Sequence, residues 1–170
     1  KRLGYSALAL TDECSLAGSV RAFAAAREWG LPLIIGSEFT LDDGTRLVLL
    51  APDRAAYGDL CQLITRGRRS AAKGRYRLAR ADVAAFASRV LALWMPPRAT
   101  AQDDDAMATA RWFVATFPGR AWLAVELHAE ADDAARLEAL LGLAAAAGLP
   151  PVAAGDVHMH VRARRALQDT

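Results

Sequence analysis

The stretch AAGDVHMH, residues 153–160, brings together side chains that could bind a metal ion. It contains Asp156, His158 and His160, and the last two are among only three histidines in the chain. Carboxylate and neutral imidazole are both common ligands of divalent cations. If the segment stays extended, the three side chains point to the same side, because side chains alternate along a strand. The stretch is therefore interpreted as a metal site, as a metal site that has lost its function, or as a loop that happens to contain histidines.

Other possible ligands follow apolar runs elsewhere in the chain. Asp12 and Glu13 close the run YSALALT, Glu38 follows LIIGS, and His128 follows AWLAVEL. Ligands at separate strand ends can converge on one cation, and a metal held there could activate water to attack a phosphodiester. Each residue also has an ordinary interpretation. Asp12 or Ser15 could cap the next helix, Glu38 could lie in a solvated turn, and His128 could belong to a polar rim.

These residues must be positioned by an alternation of strands and helices. Strands are predicted at 5–12, 31–41, 46–53, 89–97, 121–127 and 150–158, and helices at 15–30, 55–69, 103–117 and 132–148. The alternation predicts parallel β/α units in an α/β sheet or barrel. The turn signal DDG at 42–44 also allows a hairpin between the second and third strands. The first predicted helix is expected to be capped by Ser15 and ended by Gly30, and Trp29 is expected in the core.

The composition limits the classes of protein to consider. A chain of 170 residues, 54% hydrophobic, makes one ordinary domain or a large part of one. The net charge of +2 argues against wholesale wrapping by nucleic acid, and the apolar runs are too short to span a bilayer. The spacing of Cys14 and Cys61 fits neither a zinc ribbon nor a disulfide framework, so a reducing cytoplasm is expected. Because the sequence begins with Lys1, we expect a processed start or a piece of a longer protein.

The segment 66–80 is strongly basic. It carries seven positive charges with no acidic residue between them, at Arg66, Arg68, Arg69, Lys73, Arg75, Arg77 and Arg80. Such groups could contact phosphates, or they could form a solvated helix end and loop. The residues that we assign to nucleic-acid or interdomain contact are Arg68, Arg69, Lys73, Arg75 and Arg77. The tail adds Arg162, Arg164 and Arg165, which could meet phosphate or a neighbouring domain.

Taken together, these motifs resemble the amino-terminal polymerase-and-histidinol-phosphatase (PHP) domain of bacterial C-family DNA polymerases, the family of the polymerase III alpha subunit. The resemblance runs from Gly4 to Asp169, and LVLLAPDRAAYGDLCQLITRGRRSAAKGRYRL and AAGDVHMHVRARRALQD match the error-prone, lesion-bypass branch more closely. It implies an α/β fold, a distorted (β/α)7 barrel with a metal cleft at the strand C-termini. Residues 1–170 would be a piece of this domain that lacks the first strand and is truncated at both ends.

The resemblance also implies a set of candidate metal ligands, namely Asp12, Glu13, Glu38, His128, Asp156 and His158. Glu13 in TDE stands where metal-binding relatives have histidine, whereas Glu38 in GSE and the D-x-H of residues 156–158 match the family. The H-x-H pair of the first strand in those relatives would precede Lys1. Arg46 stands where active relatives place a histidine; a guanidinium cannot ligate a metal, and it could instead pair with Glu13 or Glu38. We therefore expect a partly degenerate cleft with structural or weak binding of zinc, manganese or magnesium.

The function implied by the resemblance belongs to the parent protein. That protein would be an error-prone DNA-directed DNA polymerase, a nucleotidyltransferase of DNA replication past DNA damage, translesion synthesis and DNA repair. Its partners would be DNA, deoxynucleoside triphosphates, other polymerase domains and accessory lesion-bypass proteins, without a membrane. Polymerisation needs carboxylates that hold two magnesium ions; these would lie in a palm domain elsewhere, so no catalytic residue is expected here and the domain should be mainly structural.

Two alternatives remain open. The chain could be an active metal-dependent phosphoesterase, either a 3′–5′ exonuclease or a small-phosphate hydrolase, with Asp12, Glu38, Asp156 and His158 as ligands. It could also be a DNA-binding module built on residues 66–80. The latter predicts a steeply salt-dependent affinity for DNA.

Overall fold

The computed structural model describes residues 3–97, 104–159, 161 and 163. The strands are β1 (Leu8–Leu10), β2 (Leu33–Thr40), β3 (Arg46–Ala51), β4 (Leu91–Met95), β5 (Ala121–Glu126) and β6 (Pro151–Ala154). The helices are α1 (Ser19–Trp29), α2 (Arg54–Arg69), α3 (Arg80–Ala84), α4 (Asp104–Thr116) and α5 (Asp133–Ala147). All predicted strands and helices are present, mostly shorter than predicted, and the short α3 was not predicted. Among the described residues, no helix is both long enough and apolar enough to cross a membrane.

The strands form one sheet whose order follows the chain, β1-β2-β3-β4-β5-β6. β3 runs antiparallel to both of its neighbours, whereas the pairs β1–β2, β4–β5 and β5–β6 are parallel. The expectation of parallel units throughout is therefore wrong for β3, and the hairpin alternative is correct. The connection 41–45 is too short for the crossover that a parallel pair needs. The reversal places Arg46, the first residue of β3, at the edge of the sheet where β2 and β4 end.

The core lies between the sheet and its helices. Alternate residues of the strands face this side, including Leu47, Leu49 and Trp94, which are almost fully buried. Trp94 stacks on Phe113 of α4 with ring centroids 5.7 Å apart. Each fully buried large apolar side chain contributes about 1.5–3 kcal/mol, so this face holds the fold together. The intervening residues, such as Val48, face the opposite side and leave room for a cleft.

Helix α1 differs from its prediction at its N-terminus and agrees with it at its C-terminus. It begins at Ser19, and its N-cap is Gly18 without a side-chain hydrogen bond, so the predicted cap at Ser15 is wrong. Gly30 ends the helix with φ 59°, in the left-handed region, as predicted. Trp29 is 66% exposed, which corrects its assignment to the core. The reason is that α1 covers the β1–β2 edge of the sheet and buries only one of its residues.

Candidate functional site

A cleft of about 850 Å³ opens at the edge of the sheet where the parallel strands end and β3 begins. Its floor is apolar and includes Val48, Leu93 and Ala124. Its rim carries ionisable side chains, namely Asp12, Glu13, Glu38, Arg46, Glu126, Asp156 and His158. The strand ends thus concentrate ionisable groups over an apolar surface, which is the setting in which charge interactions are strongest.

Five of the six predicted ligand candidates line this cleft. They are Asp12, Glu13, Glu38, Asp156 and His158. His128 does not line it: its side chain is exposed just beyond the end of β5. His160 and the tail residues Arg162, Arg164 and Arg165 lie outside the described residues. The structure therefore brings five of the six ligand candidates together in the cleft, whereas His128 lies outside its lining.

Arg46 pairs with Glu38 inside the cleft. Its Nη2 and Nε atoms donate hydrogen bonds to Glu38 Oε1 at 2.7 and 3.2 Å. The hydrogen bond to Glu38 raises the pKa of Arg46, and the charges of Glu126 and Asp156 add to this effect. Of the two partners considered for Arg46 from the sequence, Glu38 is the one observed. A fixed cation therefore lies among the carboxylates.

Glu126 is a cleft residue that the sequence reasoning missed. It is the last residue of β5 and only 8% exposed. Burial raises its pKa, and repulsion from Asp156 adds to the rise, while attraction to Arg46 and His128 opposes it. The run AWLAVE indicated this residue in the sequence. Burying a carboxylate at the end of an apolar strand costs free energy, so its presence there favours a functional site at that edge.

Asp156 and His158 contact each other across the rim of the cleft. His158 Nε2 lies 3.1 Å from Asp156 Oδ1. β6 already ends at Ala154, and Asp156 has φ 44°, so the segment does not continue as a regular strand. The condition under which the side chains of 156, 158 and 160 would share one side is therefore not met. Aspartate is among the residues that tolerate this left-handed conformation best.

The TDE turn is held against β2 by backbone contacts. Glu13 and Glu38 form an isolated parallel bridge, and the Cys14 N–H donates to the Glu38 carbonyl at 2.8 Å. Cys14 is buried with φ 44°, an unusual conformation for a residue other than glycine. Its carbonyl accepts two hydrogen bonds from the guanidinium of Arg68, at 3.0 and 3.1 Å. Arg68 therefore stabilises the turn that carries Glu13.

Tyr76 holds the same turn through the side chain of Glu13. Its hydroxyl donates to Glu13 Oε1 at 2.7 Å and accepts from the Thr40 N–H at 2.7 Å. Burial raises the pKa of Tyr76 to about 12, so the phenol remains a donor at neutral pH. The guanidinium carbon of Arg68 lies 5.5 Å from the centre of the Tyr76 ring. Two members of the basic segment, Arg68 and Tyr76, thus hold the turn that carries Glu13 into the cleft.

In this arrangement two of the candidate metal ligands are engaged by other side chains of the chain. Among residues 3–97, 104–159, 161 and 163, no three or more His, Cys, Asp or Glu side chains are grouped so that they could hold a metal ion. Glu38 is bound by Arg46, and Glu13 is bound by Tyr76. A guanidinium has no lone pair to offer a cation and repels it electrostatically. The cleft as built is a network of internal ion pairs and hydrogen bonds.

Residues 1–119 match the sequence pattern of the PHP domain family. The chain is 60% identical over 168 residues to an error-prone DNA polymerase of Pseudomonas paraeruginosa, a match that covers 99% of this chain and 16% of that protein. Error-prone DNA polymerases of Aromatoleum aromaticum and Methylococcus capsulatus are 57% and 53% identical, over 98% and 99% of this chain and 16% of each relative. The chain therefore spans about a sixth of the length of these relatives.

The fold is shared with a protein from Bifidobacterium adolescentis that is described as a metal-dependent phosphoesterase. The TM-score is 0.62 at 16% sequence identity, and the match covers 93% of this chain and 79% of that one. At this identity the similarity concerns the fold alone. It confirms the predicted α/β architecture as part of a β/α barrel, with the sheet in chain order that such a barrel requires.

Proposed function

Because the chain belongs to the PHP domain family, we propose that residues 1–170 form part of the PHP domain of a longer error-prone DNA polymerase, in which this domain is mainly structural. The support for the parent activity is the 52–60% identity to four error-prone DNA polymerases of Pseudomonas species. The whole polymerase would extend DNA from deoxynucleoside triphosphates past damage, in translesion synthesis and repair in the cytoplasm. Its magnesium-binding carboxylates would lie in residues beyond this chain.

The observation that carries the structural role is the position of Arg46. Its guanidinium binds Glu38 and acts electrostatically on Glu126 and Asp156. A positive charge fixed among carboxylates relieves their mutual repulsion, which is what a bound metal ion would otherwise do. In this proposal Arg46 is an internal counter-ion of the cleft carboxylates. The side chains of the cleft then serve to hold the strand ends of the domain together.

A second observation supports packing against other parts of a polymerase. Large apolar side chains are exposed on α1 and β1, with Val20 81%, Phe23 55% and Leu8 54% accessible. Apolar surface of this kind, grouped on one edge of a domain, usually marks a contact with another protein surface. In the proposed function, other domains of the polymerase cover this edge.

The test is the metal content of the full-length protein. Zinc and manganese are measured by elemental analysis in the wild type and in Asp156→Ala, and a third sample carries Arg46→His. We expect the wild type and Asp156→Ala to contain equal amounts of metal, because in this proposal the cleft holds no tightly bound metal. We expect Arg46→His to contain more metal than either. A multinuclear stoichiometry in the wild type that is lost in Asp156→Ala would overturn the proposed structural role.

The same samples test the phosphoesterase alternative. The cleft carboxylates at the strand ends favour it, and so does the activity ascribed to the protein of shared fold. Hydrolysis of single-stranded DNA from its 3′ end, or of p-nitrophenyl phosphate, would then depend on Asp156 while primer extension would not. We expect no Asp156-dependent hydrolysis, because the Arg46 guanidinium binds Glu38, one of the candidate ligands, and would repel a metal cation.

A further inference from the structure

The structure separates the basic segment 66–80 into cations that are used within the domain and cations that are not. Arg66 forms an ion pair with Asp82 at 2.5 Å, and Arg80 forms one with Asp43 at 2.6 Å. Arg68 is bound to backbone carbonyls, as described above. The remaining cations are exposed and have no ion-pair partner among the described residues; they are Arg69, Lys73, Arg75 and Arg77, here called the basic rim.

The basic rim is presented by a fixed segment of backbone. Exposure alternates from residue 75 to residue 78: Arg75 and Arg77 are exposed, whereas Tyr76 is half-buried and Leu78 is fully buried.

Hydrogen bonds hold this segment on both sides. The Arg77 N–H donates to the Gly67 carbonyl at 3.1 Å, and the Leu78 carbonyl accepts from the Asp42 N–H at 2.9 Å. A side chain at position 67 would meet Leu78, because a Cβ atom placed on Gly67 lies 3.0 Å from it. The outward arginines therefore start from anchored backbone, which lowers the entropy lost when they bind a ligand.

The composition of this surface matches phosphate better than it matches a protein partner. Protein interfaces have an apolar, often aromatic, centre. Among the described residues between Tyr57 and Val114, which include the basic rim, no large apolar side chain is exposed. Three of the four rim residues are arginines, whose planar donor groups fit phosphate oxygens. No carboxylate lies in residues 66–80 to compete for them.

We propose that the basic rim binds the phosphate backbone of DNA beside the cleft. Tyr76, which lies between Arg75 and Arg77, is hydrogen-bonded to Glu13 and to Thr40, and both of these line the cleft. A strand held on the rim would therefore pass along the edge of the cleft. The inference rests on the proposed function, since it names a DNA contact for a polymerase.

The experiment measures DNA binding by the full-length protein with the triple variant Lys73→Gln/Arg75→Gln/Arg77→Gln. Fluorescence anisotropy of a labelled single-stranded oligonucleotide and of a primed duplex is recorded between 0.05 and 0.2 M salt. Loss of three phosphate contacts should reduce the slope of log affinity against log salt by about 2 for the single strand and nearly 3 for the duplex. The affinity at 0.1 M salt should fall about a hundredfold.

A matched control removes the same charge from other exposed positions. The triple variant Arg54→Gln/Arg89→Gln/Arg111→Gln changes the net charge equally at exposed positions away from α1, and Arg54 lies at the opposite end of α2 from Arg69. We expect its salt slope to stay close to that of the wild type. Equal losses in both triple variants would overturn the proposal, because they would show general attraction by net charge rather than a site.

Primer extension separates failure of this inference from failure of the proposed function. If the wild type does not extend a primer, the polymerase assignment fails. If it extends a primer and the rim variant binds DNA with unchanged affinity and slope, only the rim assignment fails. Loss of binding to another protein of the replication machinery, with DNA affinity unchanged, would identify an acidic protein surface as the partner and would also overturn the inference.

Discussion

Arg46 and Glu38 face each other across the β2–β3 hairpin, with Nη2 and Oε1 2.7 Å apart. Glu38 pairs in register with Val48, and Arg46 pairs with Thr40, so the two charged side chains are diagonal neighbours on the same face of the sheet. The hairpin brings an acid and a base from separate strands to the edge where the parallel strands end. The charge of the cleft is therefore partly balanced inside the chain, without an external ion.

A double-mutant cycle should detect this pair. Arg46→Gln, Glu38→Gln and the double variant of the 170-residue chain are compared by urea unfolding. Because the Arg46 and Glu38 side chains are 39% and 18% exposed, we expect a coupling energy of about 1 kcal/mol that decreases with salt. The comparison pair is Arg89 with Asp59, at 2.9 Å, whose side chains are 54% and 14% exposed. A coupling energy near zero at low salt would contradict the role of Arg46 as a counter-ion.

Glu126→Gln should stabilise the chain at neutral pH. Folding raises the pKa of Glu126 above its ordinary value of 4.5, chiefly through burial. The native state therefore binds this proton more tightly than the unfolded state, so stability falls as the pH rises through and above 4.5. Removing the charge should raise Tm at pH 7.5 by a few degrees, since 1 kcal/mol corresponds to about 2–4 °C. The difference should vanish at pH 4, and exposed Glu138→Gln should change Tm little at either pH.

Tyr76→Phe should weaken the hydrogen bonding that holds Glu13 at the cleft. The variant loses the hydrogen bond to Glu13 and leaves the Thr40 N–H without its partner, which should cost about 1–2 kcal/mol at pH 7 in chemical denaturation. The pKa of Tyr76 is raised to about 12 from an ordinary 10.0. Its contribution should be complete below pH 10 and decline toward pH 12. The control is Tyr5→Phe, at a position that is 65% exposed. If the stability lost in Tyr76→Phe does not change with pH between 8 and 11.5, the Tyr76 hydroxyl proton does not contribute as proposed.

Gly36→Ala should destabilise the hairpin that positions Arg46. A Cβ atom at Gly36 would lie 2.7 Å from the Leu49 carbonyl oxygen and 2.6 Å from the Leu50 side chain. Since the backbone of β3 would have to move, we expect a loss of about 1–3 kcal/mol in the free energy of unfolding. Gly58→Ala on α2 is the matched control: its Cβ meets nothing within 4 Å. That change should instead stabilise by up to about 1 kcal/mol, and equal effects at both positions would contradict the prediction.

Several features were predictable from the sequence because they depend on neighbouring residues. Apolar runs of the right length predicted every strand, and Gly30 marked the end of α1 because glycine adopts positive φ readily. The residues after each parallel strand were predicted to meet, and Asp12, Glu38 and Asp156 do line one cleft. This part follows from the rule that parallel strands of one sheet end at the same edge.

Tertiary structure alone decided how those residues are used. The direction of β3 places Arg46 among the carboxylates, and burial at the end of β5 gives Glu126 its raised pKa. Tyr76 reaches Glu13 across 63 residues of sequence. Arg68 is bound to the Cys14 carbonyl and lies over the Tyr76 ring, whereas the cations of the basic rim have no such contact among the described residues. Hydropathy periodicity and local spacing report which side of a strand a residue faces. Which charges become neighbours depends on strand direction and register, and these are fixed only when the whole sheet packs.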